Sequence, residues 1–430
     1  MKQGKTCSPW AWIPTLYFAE GIPYFIVNVI SVTMFKRLGM SNGNLALYTS
    51  LLYLPWVIKP LWSPFVDIIR SRRWWVLAME SLMTLTFGLL ALSVSPDVFG
   101  YTLVIFYVCA FASATHDIAA DGFYMEVLDS HRQSLFVGIR STFYRIASVF
   151  GQGIIVVLAG VLETKMGDIP RAWSVTLLLC SVLFAVVTLW HFFFLPYNGP
   201  ELRKDGEKDA GKVLREFGNA FKTFFTKPGV WLAVTFMLLY RLPEALSVKM
   251  LSPFLLDSPE AGGLGLTTAQ SGMVYGTAGV IALTVGGILG GIAASRWGLR
   301  KSLWPMALSL ALPCAVYLYM SITSPSLPVI FFCVSLDQFG YGFGFTAFML
   351  YMIYFSEGEF KTSHYAICTA FMALSMMIPG LFAGYLQETL GYTGFFVVVM
   401  VCCLATVAMT MAVRNNVNPS FGKKRQTYEN

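Results

Sequence analysis

The strongest constraint on this chain is a recurring one: runs of about twenty mostly apolar residues, each bounded by polar turns, from one end of the sequence to the other. One such run, wound at about 1.5 Å per residue, spans a hydrocarbon layer about 30 Å thick. Twelve are legible, over residues 10–35, 44–66, 74–95, 100–126, 134–162, 173–195, 230–256, 268–294, 302–322, 327–355, 364–388 and 393–413. They lack the ten-residue alternation of an outer-membrane barrel, and a lipid-facing backbone must satisfy its own hydrogen bonds, so each is expected to be a helix. A chain that is 56% hydrophobic and only 12% charged has more apolar surface than a soluble core of this size can hide. The first run is followed by no small-residue cleavage site and is expected to be a retained helix. The cysteines within the spans have no metal-type spacing and read as small core hydrophobes.

Basic residues sort between alternate loops, which is the asymmetry that sets orientation during insertion. With the N-terminus in the cytoplasm, the inner segments carry 21 of the 30 lysines and arginines and the outer loops only 4. Both termini are therefore expected on the cytoplasmic side. Topology accounts for the net charge of +7, so no nucleic-acid partner is needed.

The longest polar stretch divides the chain six spans from six. The expected organisation is a six-helix bundle over 1–195, a cytoplasmic linker over 196–229, a second bundle over 230–413 and a cytoplasmic tail over 414–430. Within the linker, Leu214, Phe217, Phe221 and Phe224 follow helical spacing among basic residues, which fits an amphipathic helix on the inner leaflet as well as a solvated connection. Features repeat at an offset near 228: Asp67 on Ser295, Arg72 and Arg73 on Arg300 and Lys301, Asp129 on Glu357, Gly151 on Pro379. The glycine runs GGILGG (286–291) and FGYGFGF (339–345) follow no strand and cradle no phosphate; they read as small-residue stripes where helices approach closely.

Against this apolar background, ionisable residues inside the spans cost about 2.5 to 3.5 kcal/mol each, and so face water or one another. The acids are Glu20, Glu80, Asp117, Asp121, Glu244 and Asp337; the bases are Lys59, Arg140, Arg145, Arg241 and Lys249, with His116 able to switch. Asp117 and Asp121 stand four apart, on one face of a helix, and two carboxylates so placed share a proton readily. They are the expected proton-coupling residues. The competing reading is a permanent ion pair of either acid with Arg145. Glu80, Lys59 and Arg140 lie nearer helix ends and read as gate or snorkelling groups; His131, His191 and His364 receive no role. Pro23 beside Glu20 and Pro243 between Arg241 and Glu244 interrupt helices at equivalent places in the two halves, a pattern that points to a midplane solute site, a packing kink being the plain alternative.

These residues also carry a resemblance. The segment from Gly291 to Arg300, with Arg296 and Gly298, resembles the loop signature of the major facilitator superfamily, departing from it at Ser295 and Leu299. The chain resembles the AmpG-like permeases of its peptide, acetyl-CoA and drug transporter branch through Gly21 and Pro23, the KPLWSPFVD run from Lys59 to Asp67, Ala112, Ser113, Asp117 and Asp121, Tyr144 and Arg145, and Arg241, Leu242, Glu244 and Ala245, with Asp337 further on. That resemblance implies an all-α fold of two pseudo-symmetric six-helix bundles that rock against each other. It further implies proton-driven import of anhydromuropeptides across the bacterial inner membrane by a monomer. No enzyme activity and no cofactor other than the proton gradient are expected. Glu20, Tyr144, Arg145, Arg241, Glu244, Lys249 and Asp337 are then the expected solute contacts for a sugar-peptide, and Asp67, Arg72, Arg73, Arg296 and Arg300 the loop and gate residues. Alternatives are a carrier of another amphiphilic solute, such as a siderophore, a drug or an acyl-CoA type molecule, or a non-transporting sensor on the same fold.

Overall fold

A computed structural model describes residues 8–196 and 210–422, and all regular structure among the described residues is helical. Among the described residues, ten helices are long and apolar enough to cross a membrane. In chain order the elements are α1 (Pro9–Arg37), α2 (42–69), α3 (Arg72–Leu92), α4 (Phe99–Val127), α5 (130–166), α6 (Ile169–Phe194), the linker helix α7 (Ala210–Phe225), α8 (Val230–Leu256), α9 (Thr268–Trp297), α10 (Leu299–Thr323) and α11 (Leu327–Ser356). The last 54 helical residues, Lys361–Arg414, bend at Gly391, whose φ of 67° is left-handed, and so form α12 (361–390) and α13 (392–414). With α2 counted as one broken crossing, the twelve expected spans are all present.

The ends of these helices follow local chemistry. Ser71, Asp129 and Asp168 each accept a backbone N–H in the first turn of α3, α5 and α6, and Thr267 forms a capping box with Gln270 at the start of α9. Internal breaks follow proline. α2 is interrupted at Leu52 and Tyr53, just ahead of Pro55, and α8 at Tyr240 and Arg241, ahead of Pro243. The Tyr240 carbonyl at the break accepts the Thr406 hydroxyl of α13 at 2.9 Å, which is how a membrane protein tolerates an interrupted helix. Pro23 leaves α1 continuous and is followed by a wider π turn over Ile26–Ile30. The two symmetry-related prolines thus act differently.

The chain separates into two compact units. The first takes the chain up to Gly39 and from Leu52 to Asn219; the second takes Met40–Leu51 and the chain from Ala220 onward. In the first, α3 packs against α4 and α6, and α1 against α5. Its core includes Trp12, Tyr17, Phe123 and Tyr124. The most hydrophobic crossing here, α6, keeps most of its surface outward, with Phe193 69% exposed, as a helix bathed in lipid requires.

In the second unit α9 lies against α11 at glycine contacts. A Cβ on Gly342 would stand 2.0 Å from the Leu283 carbonyl oxygen, and one on Gly286 2.2 Å from that of Phe339. The glycine runs are packing surfaces, as their spacing suggests. Phe236, Tyr240, Met306 and Phe348 fill the core beside them. The first half of α2, Asn42–Leu51, belongs to this unit: the Asn42 amide donates to Gln387 Oε1 (2.6 Å) and to the Tyr392 hydroxyl (3.0 Å), and the Gly43 N–H to Glu388 Oε1 (2.8 Å).

The linker is helical over Ala210–Phe225. Phe221 and Phe224 of α7 pack into the second unit, the Phe224 ring 5.6 Å from both Phe355 and His364, so these two rings of the stripe are spent on protein. Residues 197–209, the Leu214 side chain and the tail beyond 422 lie outside the described residues.

Candidate transport site

In the first unit the acids of α4 meet bases from other helices at membrane depth. Lys59 of α2 forms an ion pair with Asp117. One turn on, Arg140 of α5 holds Asp121 at 2.7 Å, and the Tyr17 hydroxyl of α1 donates to the same carboxylate at 3.1 Å. The Arg140 guanidinium lies over the Tyr17 ring (4.5 Å) and the Tyr124 ring (5.4 Å), a cation–π seat that fixes its plane. Glu20 of α1 comes within hydrogen-bonding reach of Asp117, while its Oε2 is buried without a partner. The side chains stay part-open: Lys59 and Asp117 are 21% and 20% exposed, Arg140 and Asp121 29% and 39%. Three acids face two bases here.

Asp117 and Asp121 thus share one face of α4, as their spacing requires. Their partners are Lys59 and Arg140, two residues that position along the chain alone assigned to helix ends. Arg145 and Tyr144 are half-buried one turn away on α5, the Tyr144 ring 5.7 Å from Phe25.

The second unit has its own buried charges. Arg241 grips Glu244 with two hydrogen bonds, 2.7 and 3.0 Å, donates to the Tyr341 hydroxyl at 3.0 Å, and rests on the Phe345 ring at 4.7 Å. The break at Tyr240 turns Arg241 into the residue that starts the second half of α8, and Glu244 follows in its first turn. Lys249, one further turn on and 1% exposed, donates to the Thr49 hydroxyl at 3.3 Å. Asp337 of α11 accepts from the Tyr317 hydroxyl at 2.6 Å and the Gln338 amide at 3.2 Å. Sequence position had given no reason to choose Tyr17, Tyr317 or Tyr341, since nothing distinguishes them among the 20 tyrosines of the chain.

The loop residues divide by structure. Arg72 donates to the Gly122 carbonyl (2.8 Å) and lies 3.5 Å from Glu126, and Arg73 donates to the carbonyls of Phe192 and Leu195 at the C-terminal end of α6, where a cation is favoured. Arg300 reaches Asn415 at 3.4 Å, and Arg296 is exposed. The Asp67 side chain lies outside the described residues.

A model of the Major Facilitator Superfamily matches residues 15–358. The chain belongs to that superfamily. It is 24% identical over 416 residues to putative transporter AmpG 4 of Rickettsia felis, covering 94% of this chain and 96% of the relative. It is 24% identical over 409 residues to the anhydromuropeptide permease of Escherichia coli (strain K12), covering 94% and 79%. Among solved structures, a bacterial homolog of the human lysosomal transporter Spinster in an inward-facing, unoccupied conformation superposes with a TM-score of 0.72 at 15% identity, over 94% of this chain and 95% of that one. The xylose transporter XylE from E. coli gives 0.67 at 12% identity, over 95% and 99%. This is a multi-pass secondary transporter of the bacterial inner membrane, not an enzyme, and the family resemblance read from its motifs holds.

Proposed function

We propose that this carrier imports anhydromuropeptides by proton symport, with Asp117 and Asp121 as the coupling residues and Glu20 sharing the proton of Asp117. The observation that carries the reading is the part-open cluster of Glu20, Lys59, Asp117, Asp121 and Arg140 at membrane depth. A proton arriving on Asp121 cancels the charge that occupies Arg140. The guanidinium, already flat against Tyr17, is then released to bind a carboxylate of the incoming solute in bidentate fashion. A proton on Asp117 does the same for Lys59. Proton and anionic solute thereby favour the same state, which is the requirement for symport.

The stem peptide of a muropeptide supplies such carboxylates. The similarity to the anhydromuropeptide permease of E. coli supports the same cargo. In this reading both termini are cytoplasmic, the unit of transport is a monomer, and the proton gradient is the energy source. The test is uptake of radiolabelled anhydromuropeptide into vesicles carrying the protein. Accumulation that appears with an inward proton gradient and collapses with a protonophore is expected. Uptake indifferent to the gradient, or absent, overturns the proposal.

A further inference from the structure

A second group of titratable side chains lies in the first unit, separate in character from the part-open cluster. Glu80 of α3, His116 of α4 and His191 of α6 are all fully buried, each at 0% exposure. Glu80 Oε1 is 2.7 Å from His191 Nδ1 and 3.2 Å from His116 Nε2, and His191 Nε2 is 2.9 Å from the Thr15 hydroxyl of α1. The Thr15 hydroxyl in turn donates to the Trp12 carbonyl at 3.2 Å. Glu80 Oε2 and His116 Nδ1 are buried without a hydrogen-bond partner.

We infer that Glu80, His116 and His191 form a sealed proton-binding site that keeps one resident proton on His191 and thereby clamps α1, α3, α4 and α6 together. Two independent lines lead there. The first is donor accounting. An ionised Glu80 only accepts, so His191 Nδ1 carries the hydrogen of that contact; with the Thr15 hydroxyl turned to the Trp12 carbonyl, His191 Nε2 carries the hydrogen of the Thr15 contact as well. A ring with hydrogen on both nitrogens is an imidazolium. The second is charge balance. A carboxylate beside two neutral imidazoles would leave a whole negative charge in a dry site within a membrane protein, and no lysine or arginine pairs with Glu80 among the described contacts. One extra proton cancels it. His116 then donates through Nε2 as a neutral ring.

The other carboxyl groups in the middle stretches of these four helices are Glu20, Asp117 and Asp121, all members of the part-open cluster; Tyr17, Tyr24, Tyr107, Cys109, Tyr124 and Cys180 are the remaining titratable side chains there. His116 and Asp117 are adjacent on α4, so the clamp holds the helix that presents the proposed coupling acids, while its own proton has no route to water. It is a positioning device. The proton stays through the transport cycle.

The chain has only four histidines, which makes the site readable by nitrogen NMR of the full protein labelled with ¹⁵N-histidine in lipid nanodiscs. At about pH 7.5, where an unpaired histidine is mostly neutral, one ring is expected to show both nitrogens protonated. That signal should vanish in His191→Gln and become a neutral ring in Glu80→Gln. Four neutral rings in the wild-type protein at that pH overturn the inference, as does an imidazolium that survives in Glu80→Gln. The wild-type spectrum decides even where a variant fails to fold. Neither readout depends on the cargo, so the uptake experiment and this one fail separately.

Discussion

Substituting Gly342 by alanine tests the packing of the second unit at its tightest point. The new methyl carbon would sit 2.0 Å from the Leu283 carbonyl oxygen and 2.9 Å from the Gly287 nitrogen, both backbone atoms of α9 with no rotamer to escape into. Favourable contact lies at about 3.5 Å or more, so α9 and α11 must separate by about 1.5 Å along this stretch. Overpacking of this kind costs about 1–3 kcal/mol, and here the upper end applies because the clash is with backbone. Alanine returns about 0.5–1 kcal/mol through helix propensity, leaving a net loss of about 2 kcal/mol. Gly291 supplies the control: it belongs to the GGILGG run of α9, the run against which Gly342 of α11 packs, yet a Cβ there meets nothing within 4 Å. Gly291→Ala should therefore be neutral to slightly stabilising. Thermal denaturation of the two purified variants in one detergent, followed by loss of the monodisperse chromatographic peak, measures the difference. Equal midpoints for Gly342→Ala and Gly291→Ala would show that helix contact at these glycines is not what stabilises the unit.

Three further outcomes are expected. Asp121→Asn, which removes the proton acceptor and leaves Arg140 without its partner, should abolish proton-driven accumulation yet spare counterflow exchange in vesicles; unchanged concentrative uptake would remove Asp121 from coupling. Arg241→Ala strands the Glu244 carboxylate, 8% exposed, and breaking one side of a buried pair costs about 3–5 kcal/mol. The double variant Arg241→Met with Glu244→Leu should regain most of that stability without regaining solute affinity, and a double variant as unstable as the single one refutes the pairing argument. Thr406→Val keeps the side-chain shape but leaves the Tyr240 carbonyl at the break in α8 unpaired, for a loss of about 1–3 kcal/mol in the same thermal assay, against little change for the exposed Thr235→Val.

The sequence by itself determined the number of crossings, their limits to within a few residues, the close-packed role of the glycine runs, the break ahead of Pro243 and the set of ionisable groups that lipid would not tolerate. These follow from local rules: 1.5 Å of rise per residue, the missing N–H of proline, the missing Cβ of glycine and the cost of charge in hydrocarbon. The spacing of Asp117 and Asp121 likewise placed both on one face of α4, because four residues is one turn. Tertiary structure decided the partners. Lys59 reaches Asp117 across 58 positions and Arg140 takes Asp121, while Glu80 and His191, 111 apart, close on each other in a sealed core. Helical periodicity sets the direction in which a side chain points but not which helix stands opposite, or at what depth the two meet. Residues 40–51 show the same limit at larger scale: continuous in sequence with the first half, they fold into the second unit because Asn42 and the backbone beside it find their hydrogen bonds on α12 and α13.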